Sequence, residues 1–158
     1  LGNINKRYIV GEDSGLMVLS KYPIEFVKEV ILDDYFFPDR MANKSVLYFK
    51  VGDLNLMTTQ LQSNNMFNNS NISLKQLQLI KDRSPFNKFI ITGDLNNQRA
   101  NEHLSLEKNN SIPTWNDETL DYIMPYNYKN MKVISTSVPK IDLDNVSDHF
   151  PLWCHIEY

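Results

Sequence analysis

The sequence predicts an α+β fold, in which several short strands form mixed or antiparallel sheets and one clear helix packs with them. The apolar residues occur mainly in short runs that stop at glycine, proline or acidic pairs, as is typical of strands joined by turns. In the last run, every second position carries one apolar set, Leu152, Cys154, Ile156 and Tyr158, and this period of two is typical of a strand. A layered domain dominated by sheets follows from these two observations.

Four runs in the first half of the chain are predicted strands, at residues 15–20, 26–32, 45–51 and 54–59. The last two are separated by Gly52 and Asp53 alone, which predicts a hairpin. The helix candidate follows. Ser73 is placed to cap it, Gln76 stands three residues later as in a capping box, and Leu77 and Ile80 continue an apolar face.

Four more strands are predicted in the second half, at residues 88–92, 120–124, 131–137 and 150–158. The stretch between the first two of these is polar and irregular as far as Trp115. A chain of 158 residues is long enough for one domain with its own core and short for two, so we expect a single domain over residues 1–158.

Composition excludes few classes of protein. The chain is 42% hydrophobic and 22% charged, which is typical of a globular domain. Its net charge of −3 does not favour binding to nucleic acid through charge alone. Cys154 is the single cysteine, so an intrachain disulfide is excluded, and no apolar run is long enough for a transmembrane segment.

Residues suited to metal binding and proton transfer stand where predicted strands begin or end. Asp94 and Asn96 follow one strand, Asp121 lies at the start of another, and Asp148 and His149 precede the last. If these strands share a sheet, their ends can converge on one rim. Carboxylates bind Mg²⁺, which can activate water and polarise a phosphoryl oxygen, and a histidine oriented by a carboxylate can transfer a proton. These residues together would suffice to hydrolyse a phosphate ester.

The surroundings of these residues resemble the motifs of a known family. Five segments occur in the same order as in the endonuclease/exonuclease/phosphatase superfamily, typified by deoxyribonuclease: SGLMVLSKYPI at 14–24, TQL at 59–61, GDLN at 93–96, LDYI at 120–123 and SDHFPL at 147–152. The resemblance implies a four-layer αββα sandwich, with the amino-terminal portion of the family's domain missing from this chain. It also implies divalent-metal-dependent hydrolysis of a phosphodiester, with Mg²⁺ or another divalent cation as the cofactor.

Carried over by position, the resemblance implies a role for each site residue. Asp94 would position or deprotonate the attacking water and contribute to the metal site, and Asn96 would bind the phosphate in the transition state. Asp148 would bind the metal. His149 would act as general base or contact the phosphate, held in orientation by Asp121.

Some segments are similar to neutral sphingomyelinases, namely ANKS at 42–45, TQLQS at 59–63 and Thr114-Trp115. A phospholipid substrate is therefore favoured, and a nucleic-acid substrate is the alternative. An exposed aromatic loop would favour a lipid, and residues 35–37 (YFF) are the candidate, although packing in the core is the favoured interpretation of these residues.

Two departures from the family pattern bear on activity. Gln60 replaces a histidine that contacts the phosphate, and glutamine can donate a hydrogen bond but supplies neither a proton nor a positive charge. In addition, nothing before Ser14 resembles the family's amino-terminal Asn and metal-binding Glu. The chain is then expected to be one half of an enzyme completed by a second chain, a catalytically inactive relative kept for interactions, or a shortened enzyme with an incomplete metal site.

Overall fold

The computed structural model describes residues 15–32, 44–63, 71–104, 112–139 and 147–158. Seven strands and two helices lie in these ranges. In chain order they are β1 (Ile24–Ile31), β2 (Ser45–Val51), β3 (Leu54–Gln60), α1 (Asn71–Arg83), β4 (Phe89–Asp94), α2 (Ala100–His103), β5 (Asp121–Tyr126), β6 (Lys132–Ser137) and β7 (Trp153–Glu157). The predicted α+β class is confirmed.

Strands β1 to β5 form one mixed sheet in the order in which they occur along the chain, and β6 and β7 form a second, two-stranded antiparallel sheet. Within the larger sheet only β3 and β4 are parallel, and α1 lies between them in sequence. The predicted hairpin joins β2 to β3, and its Gly52 has a φ of +57°, a left-handed conformation that glycine adopts without strain.

The core of the described residues lies between α1 and one face of the larger sheet. Leu77 and Ile80 of the helix are buried together with Tyr48, Met57 and other sheet residues. The hydroxyl of Tyr48 donates a hydrogen bond of 2.8 Å to the carbonyl oxygen of Ile80, so the ring fills the core while its polar atom has a partner. This packing fixes β3 and β4, the two strands that lead to the polar rim.

The predicted strand at residues 15–20 is wrong. These residues are described but form no strand, and Met17 and Leu19 are 72% and 84% exposed. A strand is held by hydrogen bonds to a neighbour, and none of the described residues pairs with this run. Apolar character alone therefore did not produce a strand here.

The predicted capping box is also wrong. The helix begins at Asn71, so Ser73 lies within its first turn, and its Oγ accepts a hydrogen bond of 3.0 Å from Asn97 Nδ2. Gln76 Oε1 accepts a hydrogen bond of 2.9 Å from the backbone N–H of Gln62. Both side chains are buried and satisfy polar groups of the loops that follow β3 and β4, which outweighs any local capping role.

Two further differences lie in the second half of the chain. The short helix α2 occupies part of the stretch predicted to be irregular. Strand β5 extends to Tyr126 and includes Pro125, which is tolerated because β5 is the last strand of the sheet. No helix in the described part of the chain is long and apolar enough to cross a membrane. Three parts of the motifs quoted above lie outside the described residues: Ser14, residues 35–37 and residues 42–43.

Candidate functional site

One edge of the larger sheet brings three of the predicted site residues side by side. Strands β3 and β4 are parallel, so both carboxyl ends reach this edge, and the antiparallel β5 starts there. Gln60 is the register partner of Asp94, and Asp94 is the register partner of Asp121. Adjacent strands lie about 5 Å apart, so these side chains follow one line across the sheet.

A tight turn after β4 orients the Asp94 carboxylate. Asn96 has a φ of +47°, a left-handed conformation that asparagine tolerates. Its backbone N–H donates a hydrogen bond of 2.8 Å to Asp94 Oδ1. Its side-chain Nδ2 donates two more, of 2.8 Å to Asp94 Oδ2 and of 2.9 Å to the carbonyl oxygen of Leu61. Both amide hydrogens of Asn96 are thereby engaged. A phosphate bound by this side chain would have to replace one of these acceptors.

Gly93, immediately before Asp94, permits the close approach of β3 and β4. Its φ is +123°, and a Cβ at this position would lie 2.0 Å from the carbonyl oxygen of Thr59. We expect Gly93→Ala to lower the free energy of unfolding by at least about 3 kcal/mol, because both the backbone conformation and the contact become strained. Urea unfolding followed by circular dichroism measures this change.

Gly52→Ala is the matched control. Gly52 also has a positive φ, +57°, but nothing lies within 4 Å of a Cβ there. Its substitution should lower the free energy of unfolding by only about 1 kcal/mol. Equal losses in the two variants would contradict the importance of the Gly93 contact.

His149 and Asp121 form a hydrogen-bonded pair at the same rim. The distance from His149 Nδ1 to Asp121 Oδ2 is 2.7 Å, and the two side chains are only 24% and 21% exposed. An ionised carboxylate can only accept, so Nδ1 carries the proton and the Nε2 atom of the neutral ring is left as an acceptor. The backbone N–H of His149 donates 3.1 Å to Ser147 Oγ, which holds the loop before β7.

Burial and mutual charge shift the pKa of two of these groups. Burial raises the pKa of Asp94 from 3.8 to about 6, against the lowering effect of the hydrogen bond from Asn96, and the nearby Asp121 charge adds to the rise. Burial alone would lower the pKa of His149. The hydrogen bond to Asp121 and the charges of Asp121, Asp94 and Asp148 outweigh it and raise that pKa. Both shifts favour the protonated forms of Asp94 and His149.

The pair and Asp94 line one cleft of about 860 Å³, and all six predicted site residues border it: Gln60, Asp94, Asn96, Asp121, Asp148 and His149. Gln60 and Asp148 are exposed at its rim. Several other residues line the cleft without a role predicted from the sequence, among them Asn97, Arg99 and Glu118. No motif marks these residues, because only the fold brings them to the cleft.

The donor atoms fit a divalent cation. One ligand atom from each of Asp94, Asp121 and His149 lies within 4.8 Å of the others. The carboxylate oxygens are of the kind that Mg²⁺ prefers. Asp148, the predicted metal ligand, lines the cleft but does not belong to this group of three. Its metal-binding role stays a prediction.

Comparison with solved structures identifies the fold. Sphingomyelinase C from Streptomyces griseocarneus is 17% identical, with a TM-score of 0.59 over 94% of this chain and 68% of that one. Beta toxin from Staphylococcus aureus, a double mutant with bound magnesium ions, is 19% identical, with a TM-score of 0.60 over 86% and 66%. D. rerio TDP2, complexed with a single-strand DNA product, is 18% identical, with a TM-score of 0.52 over 85% and 69%.

These proteins and an endonuclease/exonuclease/phosphatase from Bacteroides vulgatus share the deoxyribonuclease-like fold of that superfamily, and this chain has it too. The chain spans about two thirds of the length of each structure just described. No model of a protein family and no curated protein matches the chain. The comparisons give no support to the second chain predicted from the sequence.

Proposed function

We propose that this chain, which has the endonuclease/exonuclease/phosphatase fold, is a divalent-metal-dependent phosphodiesterase. One observation carries the proposal: Asp94, Asp121 and His149, from three separate segments, lie within 4.8 Å of one another in one cleft, so a carboxylate able to hold a cation stands beside a hydrogen-bonded carboxylate–imidazole pair. The magnesium ions bound to beta toxin, a protein of this fold, support the choice of cofactor.

Asp94 and Asp148 would hold the cation, and the Asp121–His149 pair would lie beside it. When bound, a divalent cation supplies polarisation of a phosphoryl oxygen and compensates negative charge on the leaving oxygen. The exposed position of Asp148 leaves it accessible to both solvent and substrate. The remaining chemistry belongs to residues of the chain itself.

His149 would exchange the proton of the reaction at Nε2. Asp121 accepts the Nδ1 proton at 2.7 Å, so it fixes the tautomer in which Nε2 is free to accept a proton from water. The raised pKa of His149 increases the share of the imidazolium form, in which Nε2–H can instead donate to a phosphate oxygen. Both of the roles predicted for His149 from the sequence use this atom.

Asp94 would orient the attacking water, and Asn96 would hold Asp94. The two hydrogen bonds from Asn96 reach both oxygens of the Asp94 carboxylate, so they fix its plane. A carboxylate whose plane is fixed orients a bound water more accurately than a carboxylate that rotates freely. Such positioning is a major part of catalysis of phosphoryl transfer. The direct contact of Asn96 with phosphate requires that it first release Leu61 or Asp94.

A sphingomyelinase-like phospholipid is the substrate that we propose. Two observations support this substrate: the sequence segments similar to neutral sphingomyelinases, and the structural match to sphingomyelinase C, which covers 94% of this chain. A nucleic-acid substrate is the second candidate. The observation that favours it is the presence of Lys44, Arg99 and the Trp115 indole in the cleft, since cations and aromatic rings bind nucleotide strands.

A panel of substrates tests this proposal. The 158-residue chain is incubated with Mg²⁺ and with sphingomyelin vesicles, single-stranded DNA, or bis(p-nitrophenyl) phosphate, a small phosphodiester. We expect hydrolysis of the small ester and of sphingomyelin, and chelation by EDTA should abolish both. Cleavage of DNA but not of sphingomyelin would move the substrate to the second candidate. A chain inactive on all three would contradict the phosphodiesterase proposal and favour an interaction-only role.

Restoring the family's histidine at position 60 is expected to raise activity. Gln60 lies at the cleft, opposite Asp94 in register, and cannot supply a proton. Gln60→His should raise kcat for the proposed substrate about tenfold, less than the roughly 10²- to 10⁴-fold typical of a fully positioned acid or base. Initial rates measured across pH 5 to 9 test this expectation.

Gln78→His is the control, because Gln78 lies on the exposed face of α1 and bonds to Asp82. This variant should leave kcat unchanged. If Gln60→His gave no more activity than Gln78→His, the loss of the family's histidine would not limit the rate.

A further inference from the structure

Thr114 joins the two segments that carry Asp121 and His149. It is fully buried, at 0% exposure, and belongs to neither sheet. Its hydrogen bonds nevertheless reach the first residue of β5, in the larger sheet, and the loop that precedes β7, in the smaller one. The Asp121–His149 hydrogen bond spans the same two segments.

The Thr114 side chain holds the Asp121 side of this junction. Its Oγ1 accepts hydrogen bonds from the backbone N–H of Leu120, at 3.3 Å, and of Asp121, at 3.2 Å. Asp121 is the first residue of β5, where ladder bonds to β4 begin. Because the hydroxyl oxygen fixes the peptide group of Asp121, it fixes the direction in which the carboxylate leaves the strand.

The Thr114 backbone holds the His149 side. Its carbonyl oxygen accepts a hydrogen bond of 2.7 Å from the N–H of Phe150, the residue directly after His149. This is the shortest of the backbone bonds recorded between loops of the described residues. Together with the bond from His149 N to Ser147 Oγ, it anchors the histidine on both sides.

Thr114 itself is fixed by a compact turn. Its N–H donates 2.9 Å to the carbonyl oxygen of Glu118, and Trp115 and Glu118 exchange a pair of backbone bonds across the turn. Asn116 takes a left-handed φ of +47° at the bend. A residue that is held by its own turn can act as a rigid link between the two segments that it contacts.

We propose that Thr114 is a positioning residue that sets the distance between Asp121 and His149. The Oγ1 atom is the part of it that a substitution can remove without breaking the backbone. The effect of Thr114 on catalysis rests on the proposed function, whereas its effect on the Asp121–His149 hydrogen bond does not.

The test compares Thr114→Val with Thr114→Ser. Valine keeps the volume and removes the hydroxyl acceptor, while serine keeps the acceptor and loses a methyl group. Proton NMR of the full chain gives a readout independent of activity: the downfield resonance of the Nδ1–H of His149, assigned by its loss in His149→Gln. We expect this resonance to disappear or move upfield in Thr114→Val and to persist in Thr114→Ser.

Kinetics supply the second readout. Thr114→Val should lower kcat about tenfold with less than about a twofold change in KM, since a small misplacement of reacting groups costs rate more than binding. Thr114→Ser should retain the wild-type kcat within about twofold. If the valine variant fails to fold by circular dichroism, Thr114→Ala replaces it.

Thr59→Val is the matched control. Thr59 is also buried, and its Oγ1 donates 2.8 Å to the carbonyl oxygen of Ser45, away from Asp121 and His149. This variant should keep the His149 resonance. The proposal is overturned if the resonance survives in Thr114→Val, if Thr114→Ser loses it too, or if Thr59→Val loses it equally. An inactive wild-type chain would contradict the proposed function and leave the NMR result decisive for Thr114.

Discussion

Replacing His149 by glutamine is expected to lower the kcat for phosphodiester hydrolysis by about 10³-fold, because one residue carries both the proton transfer and the charge near the phosphate. The 2.7 Å hydrogen bond from His149 Nδ1 to Asp121 fixes the tautomer of the imidazole ring, so that Nε2 can exchange a proton. Glutamine can replace a hydrogen bond of the histidine but cannot exchange a proton. Steady-state rates with bis(p-nitrophenyl) phosphate and Mg²⁺ measure the loss.

His155→Gln is the matched control for this experiment. His155 lies on β7 and is exposed, outside the residues that line the cleft. It should retain the wild-type rate. A His149→Gln variant that also kept its rate would show that the Asp121–His149 pair takes no part in the reaction.

The second large effect concerns stability, pH and metal. Without a divalent cation, the free energy of unfolding should fall as the pH rises from 5 to 8. Burial raises the pKa of Asp94 from its ordinary value of 3.8 to about 6, so folding favours protonated Asp94, and its contribution to stability is lost as the pH rises through about 6. The raised pKa of His149 acts in the same direction.

The size of this loss follows from the shift of Asp94. A rise of the pKa from 3.8 to about 6 corresponds to about 3 kcal/mol in all, and about half of this amount is lost between pH 5 and 8. Mg²⁺ competes with the protons, so it should raise the melting temperature clearly at pH 8 and little at pH 5. Urea and thermal unfolding at the two pH values, with Mg²⁺ or EDTA, measure both effects.

Asp94→Asn separates the contribution of this carboxylate. The variant lacks the titrating group, so it should lose the part of the pH dependence that Asp94 contributes and most of the Mg²⁺ stabilisation. An equal rise of melting temperature with Mg²⁺ in the wild type and in Asp94→Asn would show that the cation binds elsewhere.

The strands and the order of the site motifs could be predicted from the sequence because both are local signals. Apolar runs with turn residues between them located β1 to β7 to within a few residues, and Gly52-Asp53 identified the hairpin. Residues 15–20 have the same local character but no partner among the described residues, so the same signal failed there. Whether a run becomes a strand depends on a neighbour that the run itself does not specify.

Local patterns also could not predict long-range polar contacts. The spacing of Ser73 and Gln76 matches a capping box, but their partners are Asn97 and Gln62, far away along the chain. Asp94 and Asp121 lie side by side because of the register between β4 and β5. The hydrogen bonds of Thr114 depend on how segments next to both sheets are placed. Motif order predicted which residues meet, whereas the fold determines what holds them in place.

The dependence of phosphodiester hydrolysis on Mg²⁺ is the most direct test of the central claim that Asp94, Asp121 and His149 form a metal-assisted hydrolytic site. The rate of the 158-residue chain on bis(p-nitrophenyl) phosphate is measured as Mg²⁺ is titrated from zero, in parallel with Asp121→Asn. We expect a saturable rise in rate for the wild type and a rate lower by about 10³-fold for the variant. A wild-type rate that stays at the uncatalysed level at every Mg²⁺ concentration, or one that Asp121→Asn matches, would contradict the claim.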